Sequence, residues 1–93
     1  MRGFESRPDL MYYVYALKSR TNGDLYIGFT TDLKERFMLH NNKKVRSTKA
    51  YVPWKLVYYE AYFDKFDATK REKKLKMHRV KEDLKIQIEN SIK

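Results

Sequence analysis

A small α+β domain is predicted by three features of the sequence: one three-stranded antiparallel sheet flanked by about three helices, in the order β-β-α-β-α-α. Two short runs rich in tyrosine and β-branched residues, MYYVYAL over 11–17 and LYIGF over 25–29, flank the turn-forming Thr21-Asn22-Gly23-Asp24. A third aromatic run, WKLVYYEAYF, follows at 54–63. Between and after these runs, apolar residues recur at helical spacing. The 93 residues suffice for one domain and are too few for two. A hydrophobic share of 42% is that of an ordinary folded chain.

Taken in order, strands are predicted over residues 12–18, 25–29 and 56–62, and helices over 32–40, 67–77 and 80–90. In the first strand Met11, Tyr13, Tyr15 and Leu17 share a face. In the second, Tyr26 and Gly28 share one face and Leu25, Ile27 and Phe29 the other. Asp32 followed by Glu35 resembles a capping box and should open the first helix, with Leu33 and Phe37 as its apolar stripe. Asn41-Asn42 should close it. Residues 43–53, KKVRSTKAYVP, read as a basic loop. Asp64 or Asp67 could cap the second helix. Val80, Leu84, Ile88 and Ile92 give the third a fourth-residue stripe suited to covering the sheet. The first ten residues carry no such patterning and read as a loose extension, so the domain should occupy residues 11–93.

Lysine and arginine number 21 against 12 acids, a formal charge of +9. The pI near 9.8 falls where a polyanionic partner is worth considering. With no cysteine, disulfides, cysteine-bound zinc and thiol catalysis are excluded, and two histidines are too few for a histidine-rich metal site. No apolar run is long enough to span a bilayer. The N-terminus lacks the apolar segment of a secretory signal. A cytoplasmic protein with no membrane partner is expected.

The strand pair then carries a specific signature. Tyr13-Val14-Tyr15 stands where a GIY triplet would, and Tyr26-Ile27-Gly28 is a literal YIG. Arg36 follows on the first helix, and Arg71-Glu72-Lys73 lies within the second. The series YVY, LYIG, a helix ending in HN, a basic loop, PWKLVYYE and KREK resembles the GIY-YIG nuclease superfamily, in particular its short stand-alone bacterial-type members. The resemblance covers about residues 11–78. It implies an endonuclease that hydrolyses phosphodiester bonds in DNA with one divalent cation, Mg²⁺ or Mn²⁺, in a setting such as structure-directed repair or recombination. It further implies that Tyr15 and Tyr26 face the site, that one of the two helps activate water, that Arg36 steadies phosphate charge, and that Glu72 holds the metal. His40 matches a histidine found in many members. Two positions depart from the larger nucleases: Phe29 stands where they carry a lysine, and Leu84 where they carry an asparagine.

The residues also have a chemistry of their own. Glu72 shares a helical stripe with Ala68 and Leu75, where a lone carboxylate is costly unless a cation or a lysine compensates it. Tyr15 and Tyr26 could be core residues, since tyrosine favours strands. As a base, either phenol would need its pKa lowered by neighbouring cations. Gly28 could be required because a side chain there would block the substrate or the facing helix. Arg36 could pair with Asp32 one turn earlier, although its planar fork suits phosphate. His40 could act as a base, a phosphate donor or a helix-end cation. Lys43, Lys44, Arg46 and Lys49 form a plausible cradle for backbone phosphates, while core packing is expected for Tyr51 and Trp54. Two other readings stand beside the nuclease. One is a non-catalytic nucleic-acid-binding domain, for DNA with RNA not excluded. The other is a protein-interaction adaptor. With no recognition domain attached, a partner protein could supply specificity.

Overall fold

The computed structural model describes residues 11–93, so the expected extension over 1–10 lies outside the described residues. Strands β1 (Tyr12–Ser19), β2 (Leu25–Thr30) and β3 (Trp54–Tyr62) form one antiparallel sheet in the order β2-β1-β3. The helices are α1 (Leu33–Asn41), α2 (Lys65–Leu75) and α3 (His78–Gln87), and a single 3₁₀ turn at Lys49–Tyr51 lies within the basic loop. The chain order is therefore β-β-α-β-α-α. Among the described residues no helix is long and apolar enough to cross a membrane.

Local chemistry explains the element ends. Gly23 takes a positive φ of 78° at the hairpin tip, and Ser19 Oγ accepts from the N–H groups of Thr21 and Asn22. The Asp32 carboxylate accepts from Glu35 N at 3.0 Å, opening α1. Of the two candidate caps, Asp64 is the one used. It accepts from Phe66 N at 2.8 Å and Asp67 N at 3.2 Å, so α2 begins two residues before the predicted start. Asn41 ends α1 and fastens it to β3: its amide accepts from Trp54 N at 2.6 Å and donates to Trp54 O at 3.0 Å. That clamp also brings Trp54 into β3, two residues earlier than predicted.

Helix α1 closes in a Schellman arrangement, with Lys43 N donating to His40 O and Lys44 N to Leu39 O. This places Lys43 at a φ of +62°, a left-handed conformation that glycine adopts freely and lysine does not. Lys43→Gly should therefore raise stability by about 0.5–1 kcal/mol, after allowing for the greater flexibility of glycine when unfolded. A urea unfolding midpoint that does not move, or that falls, would count against strain at this position.

The central strand β1 is buried on both faces, and its alternation sorts the core into two layers. Val14 and Ala16 meet Leu25, Ile27, Ala68, Leu75, Leu84 and Ile88, with α2 and α3 covering that side. Tyr15 and Leu17 turn the other way, toward Trp54, Tyr26, Leu33 and Phe37. Leu84 is thus the buried packing residue of α3, and Phe29 stacks on Tyr12 with centroids 6.2 Å apart. Both positions that depart from the larger nucleases are occupied by apolar contacts.

Candidate active site

The site is built on the β1–β2 ladder, where Tyr15 and Gly28 are direct partners. Tyr15 is only 2% exposed, and its ring lies over Gly28. A Cβ at position 28 would stand 2.4 Å from both Cζ and Oη of that ring. The glycine therefore makes room for the tyrosine beside it, whereas the sequence pointed to substrate or a facing helix. Because the ring is enclosed and its hydroxyl is bonded, it has little room to yield. Gly28→Ala should cost about 1–3 kcal/mol in overpacking and loosen the hydroxyl's hydrogen bond. Chemical denaturation checks this, and an unchanged midpoint would show that the ring shifts freely.

The Tyr15 hydroxyl lies 2.8 Å from His40 Nε2, and His40 Nδ1 lies 2.8 Å from Thr48 Oγ1. Both His40 and Thr48 are fully buried. Burial, with the Arg36 charge adding to it, pushes the imidazole down to about 4. His40 is therefore neutral at physiological pH, which corrects the helix-end-cation reading. Burial likewise pushes the Tyr15 phenol up to about 12, although the Arg36 guanidinium beside it acts in the opposite direction. In this chain desolvation outweighs the neighbouring cation, so Tyr15 is held as the neutral phenol.

Arg36 does not pair with Asp32, whose carboxylate serves as the helix cap. It faces Tyr15 and His40 instead, and its Nε is buried without a hydrogen-bond partner among the described residues. A buried guanidinium donor left in this state is suited to an anion. Tyr26 is half-buried, and its ring meets His40 at 5.1 Å, Trp54 at 6.1 Å and Tyr15 at 6.4 Å between centroids. Its partners are thus rings.

Glu72 extends from α2 between the buried Ala68 and Leu75 with a side-chain exposure of 20%, and its charge acts on Tyr15. Its carboxylate pairs with Lys76 at 2.9 Å, the lysine alternative among the sequence readings. The neighbouring Arg71 faces the other way and fixes the helix. Its Nε lies 3.0 Å from each oxygen of Glu60, which also accepts from the hydroxyls of Tyr58 and Tyr62. Burial alone would raise the Glu60 carboxyl, but these donors hold it below the usual range. Among the described residues there is no group of three or more metal-ligating side chains. A magnesium-type ion nevertheless needs only one or two carboxylates, with water and substrate phosphate completing its octahedron. Glu72, whose charge reaches the same Tyr15 that Arg36 faces, offers one such carboxylate, and the exposed Lys76 is a weakly held competitor.

Lys43, Lys44, Arg46 and Lys49 are all exposed on the loop that follows α1. The structure brings Tyr15, Tyr26, Arg36 and His40 together, with Glu72 in electrostatic reach. It leaves the four loop cations outside that cluster. Tyr51 is 43% exposed, not packed as expected, whereas Trp54 is buried and donates through Nε1 to Thr48 O at 2.9 Å. Sequence reasoning missed Thr48: one hydroxyl in a basic loop carries no periodic signal.

The chain is similar to several known proteins. The family model described as the GIY-YIG catalytic domain matches residues 11–85. A UPF0213 protein of Streptococcus pneumoniae serotype 4 is 40% identical over 65 residues, which are 69% of this chain and 65% of that protein, just under two thirds of its length. A UPF0213 protein of Staphylococcus epidermidis is 38% identical over 76 residues, 81% of this chain and 92% of its own. The solution NMR structure of a UPF0213 protein from Bacillus halodurans is 34% identical, with a TM-score of 0.52, covering 80% of this chain and 81% of that one.

Proposed function

Since the chain belongs to the GIY-YIG catalytic-domain family, we propose that it is a divalent-metal-dependent endonuclease hydrolysing phosphodiester bonds in DNA. The observation that carries this reading is the buried Tyr15–His40 hydrogen bond beside an Arg36 donor that has no partner among the described residues. Arg36 receives the scissile phosphate and shares the charge that grows on it. Tyr15 takes a proton from the attacking water as its own passes to His40 Nε2, so no free phenolate is needed. Tyr26 borders the same space and orients the water. Glu72 would hold Mg²⁺ or Mn²⁺, which supplies charge stabilisation to the phosphate oxygen and the leaving group. Lys43, Lys44, Arg46 and Lys49 bind backbone phosphates outside the reacting centre. This assignment suits a cytoplasmic enzyme of DNA repair or recombination that reads substrate structure or takes its specificity from a partner protein.

A second reading, a nucleic-acid-binding domain without turnover, draws on the Glu72–Lys76 ion pair and on the apolar contacts of Phe29 and Leu84. Incubation with single-stranded, duplex and branched DNA and RNA, with and without Mg²⁺ or Mn²⁺, separates the two. Metal-dependent cleavage supports the nuclease. Tight, salt-sensitive binding with no cleavage of any substrate supports the second reading.

A further inference from the structure

The proton path through Tyr15 depends on which nitrogen of His40 carries hydrogen. We propose that Thr48 is the positioning residue that fixes His40 as its Nδ1–H tautomer and so keeps Nε2 open to receive the Tyr15 proton. This rests on the nuclease reading for its catalytic consequence but not for its structural content.

The geometry supplies the argument. Thr48 Oγ1 lies 2.8 Å from Nδ1 and 3.4 Å from Val45 O. The Val45 carbonyl already accepts from Thr48 N and Lys49 N, so the hydroxyl's contact with it is weak and the tautomer is decided at the Tyr15 end. With hydrogen on Nδ1, Thr48 Oγ1 is its acceptor and Nε2 keeps its lone pair. The opposite tautomer fails at the other end of the chain. Nε2–H would donate to Tyr15 Oη, which already faces the donor-only Arg36 guanidinium. The Tyr15 proton would then have no acceptor among these neighbours, in a site with 2% exposure of the ring. With Nδ1–H, Tyr15 donates to Nε2 and Nδ1 donates to Thr48, while Arg36 Nε stays without a partner among the described residues.

Thr48 is itself held in place. Its N–H donates to Val45 O at 3.1 Å, its carbonyl accepts from Trp54 Nε1 at 2.9 Å, and the residue is fully buried. It also sits in the loop that carries the four exposed cations, so the segment that meets phosphate is the one that sets the imidazole. In the catalytic step the Tyr15 O–H bond breaks, a new H–Nε2 bond forms, and Oη takes a proton from the attacking water. The resulting imidazolium keeps Nδ1–H on Thr48.

Long-range ¹⁵N–¹H NMR of histidine-labelled protein reads the tautomer without substrate, metal or turnover. The chain has two histidines, and His78 is the exposed one. Wild type should show His40 with hydrogen on Nδ1. Thr48→Val, which keeps the shape and removes the acceptor, should move the ring toward Nε2–H and lower cleavage by about 10-fold to 10²-fold. Thr48→Ser should restore both. A wild-type ring protonated on Nε2 overturns the proposal, and that measurement stands even if Thr48→Val does not fold. So does a Thr48→Val ring that stays Nδ1–H, or one that switches while cleavage is unchanged. If wild type cleaves nothing, the nuclease reading fails, and the tautomer result still decides the structural assignment.

Discussion

Replacing Glu72 with glutamine should lower metal-dependent cleavage by ~10²-fold or more, equivalent to about 2.7 kcal/mol of lost transition-state stabilisation. The substitution nearly preserves shape and removes one charge. The fold should not notice it. Among the described residues the ion pair lost is the i,i+4 contact to the half-exposed Lys76, a class of interaction that contributes about 0.3–0.5 kcal/mol. Arg71 and Glu60 continue to fasten α2 to β3, so the side chain at position 72 stays in place. Binding of DNA without metal should survive or tighten, because a negative charge near the phosphates has gone and the loop cations are untouched. Lys76→Ala should act in the opposite sense, lowering the metal concentration needed for half-maximal cleavage by removing the competing ammonium. Single-turnover cleavage at several Mn²⁺ concentrations measures both effects. Equal rates for wild type and Glu72→Gln would place the metal elsewhere.

The order of elements and their faces could be read from the sequence because periodicity and burial are the same fact seen twice. The alternation of Tyr15 and Leu17 against Val14 and Ala16 becomes two core layers, and the stripe Val80, Leu84, Ile88 and Ile92 becomes the cover over one of them. Candidate site residues were legible for a different reason, since their types and order match a family. What escaped was anything decided by a contact between distant segments. The roles of Asp32 and Arg36 illustrate this. Spacing left both a cap and an ion pair open to Asp32; the carboxylate caps the helix, and Arg36 Nε is left without a partner among the described residues. His40 was open to three roles, base, phosphate donor or helix-end cation, and only the enclosing β-sheet and the loop at Thr48 make it a buried neutral imidazole. Tyr15 was expected to need cations to lower its pKa. The cation is present, yet burial outweighs it, a balance that no sequence pattern expresses.

That balance sets the expected outcome for Tyr15→Phe. The ring should keep its place over Gly28, since phenylalanine differs only by the hydroxyl, and the sheet should pair as before. Stability should still fall by about 1–3 kcal/mol, because His40 Nε2 is left as a buried acceptor without a donor. Cleavage should fall further, by about 10²–10⁴-fold, the span attributed to a positioned proton-transfer group. Tyr26→Phe should cost less. Tyr26 is half-buried and meets its neighbours through its ring, which the substitution retains, so only its orienting contact with water is lost. The comparison assigns the base between two tyrosines that the sequence could not separate. Rates should be taken at saturating DNA and metal, with urea unfolding alongside to show that each variant is folded under assay conditions. A folded Tyr15→Phe that cleaves like wild type would remove the phenol from the proton path. A larger loss from Tyr26→Phe than from Tyr15→Phe would transfer the role to Tyr26, and the Tyr15–His40–Thr48 chain would then be a structural network beneath the site.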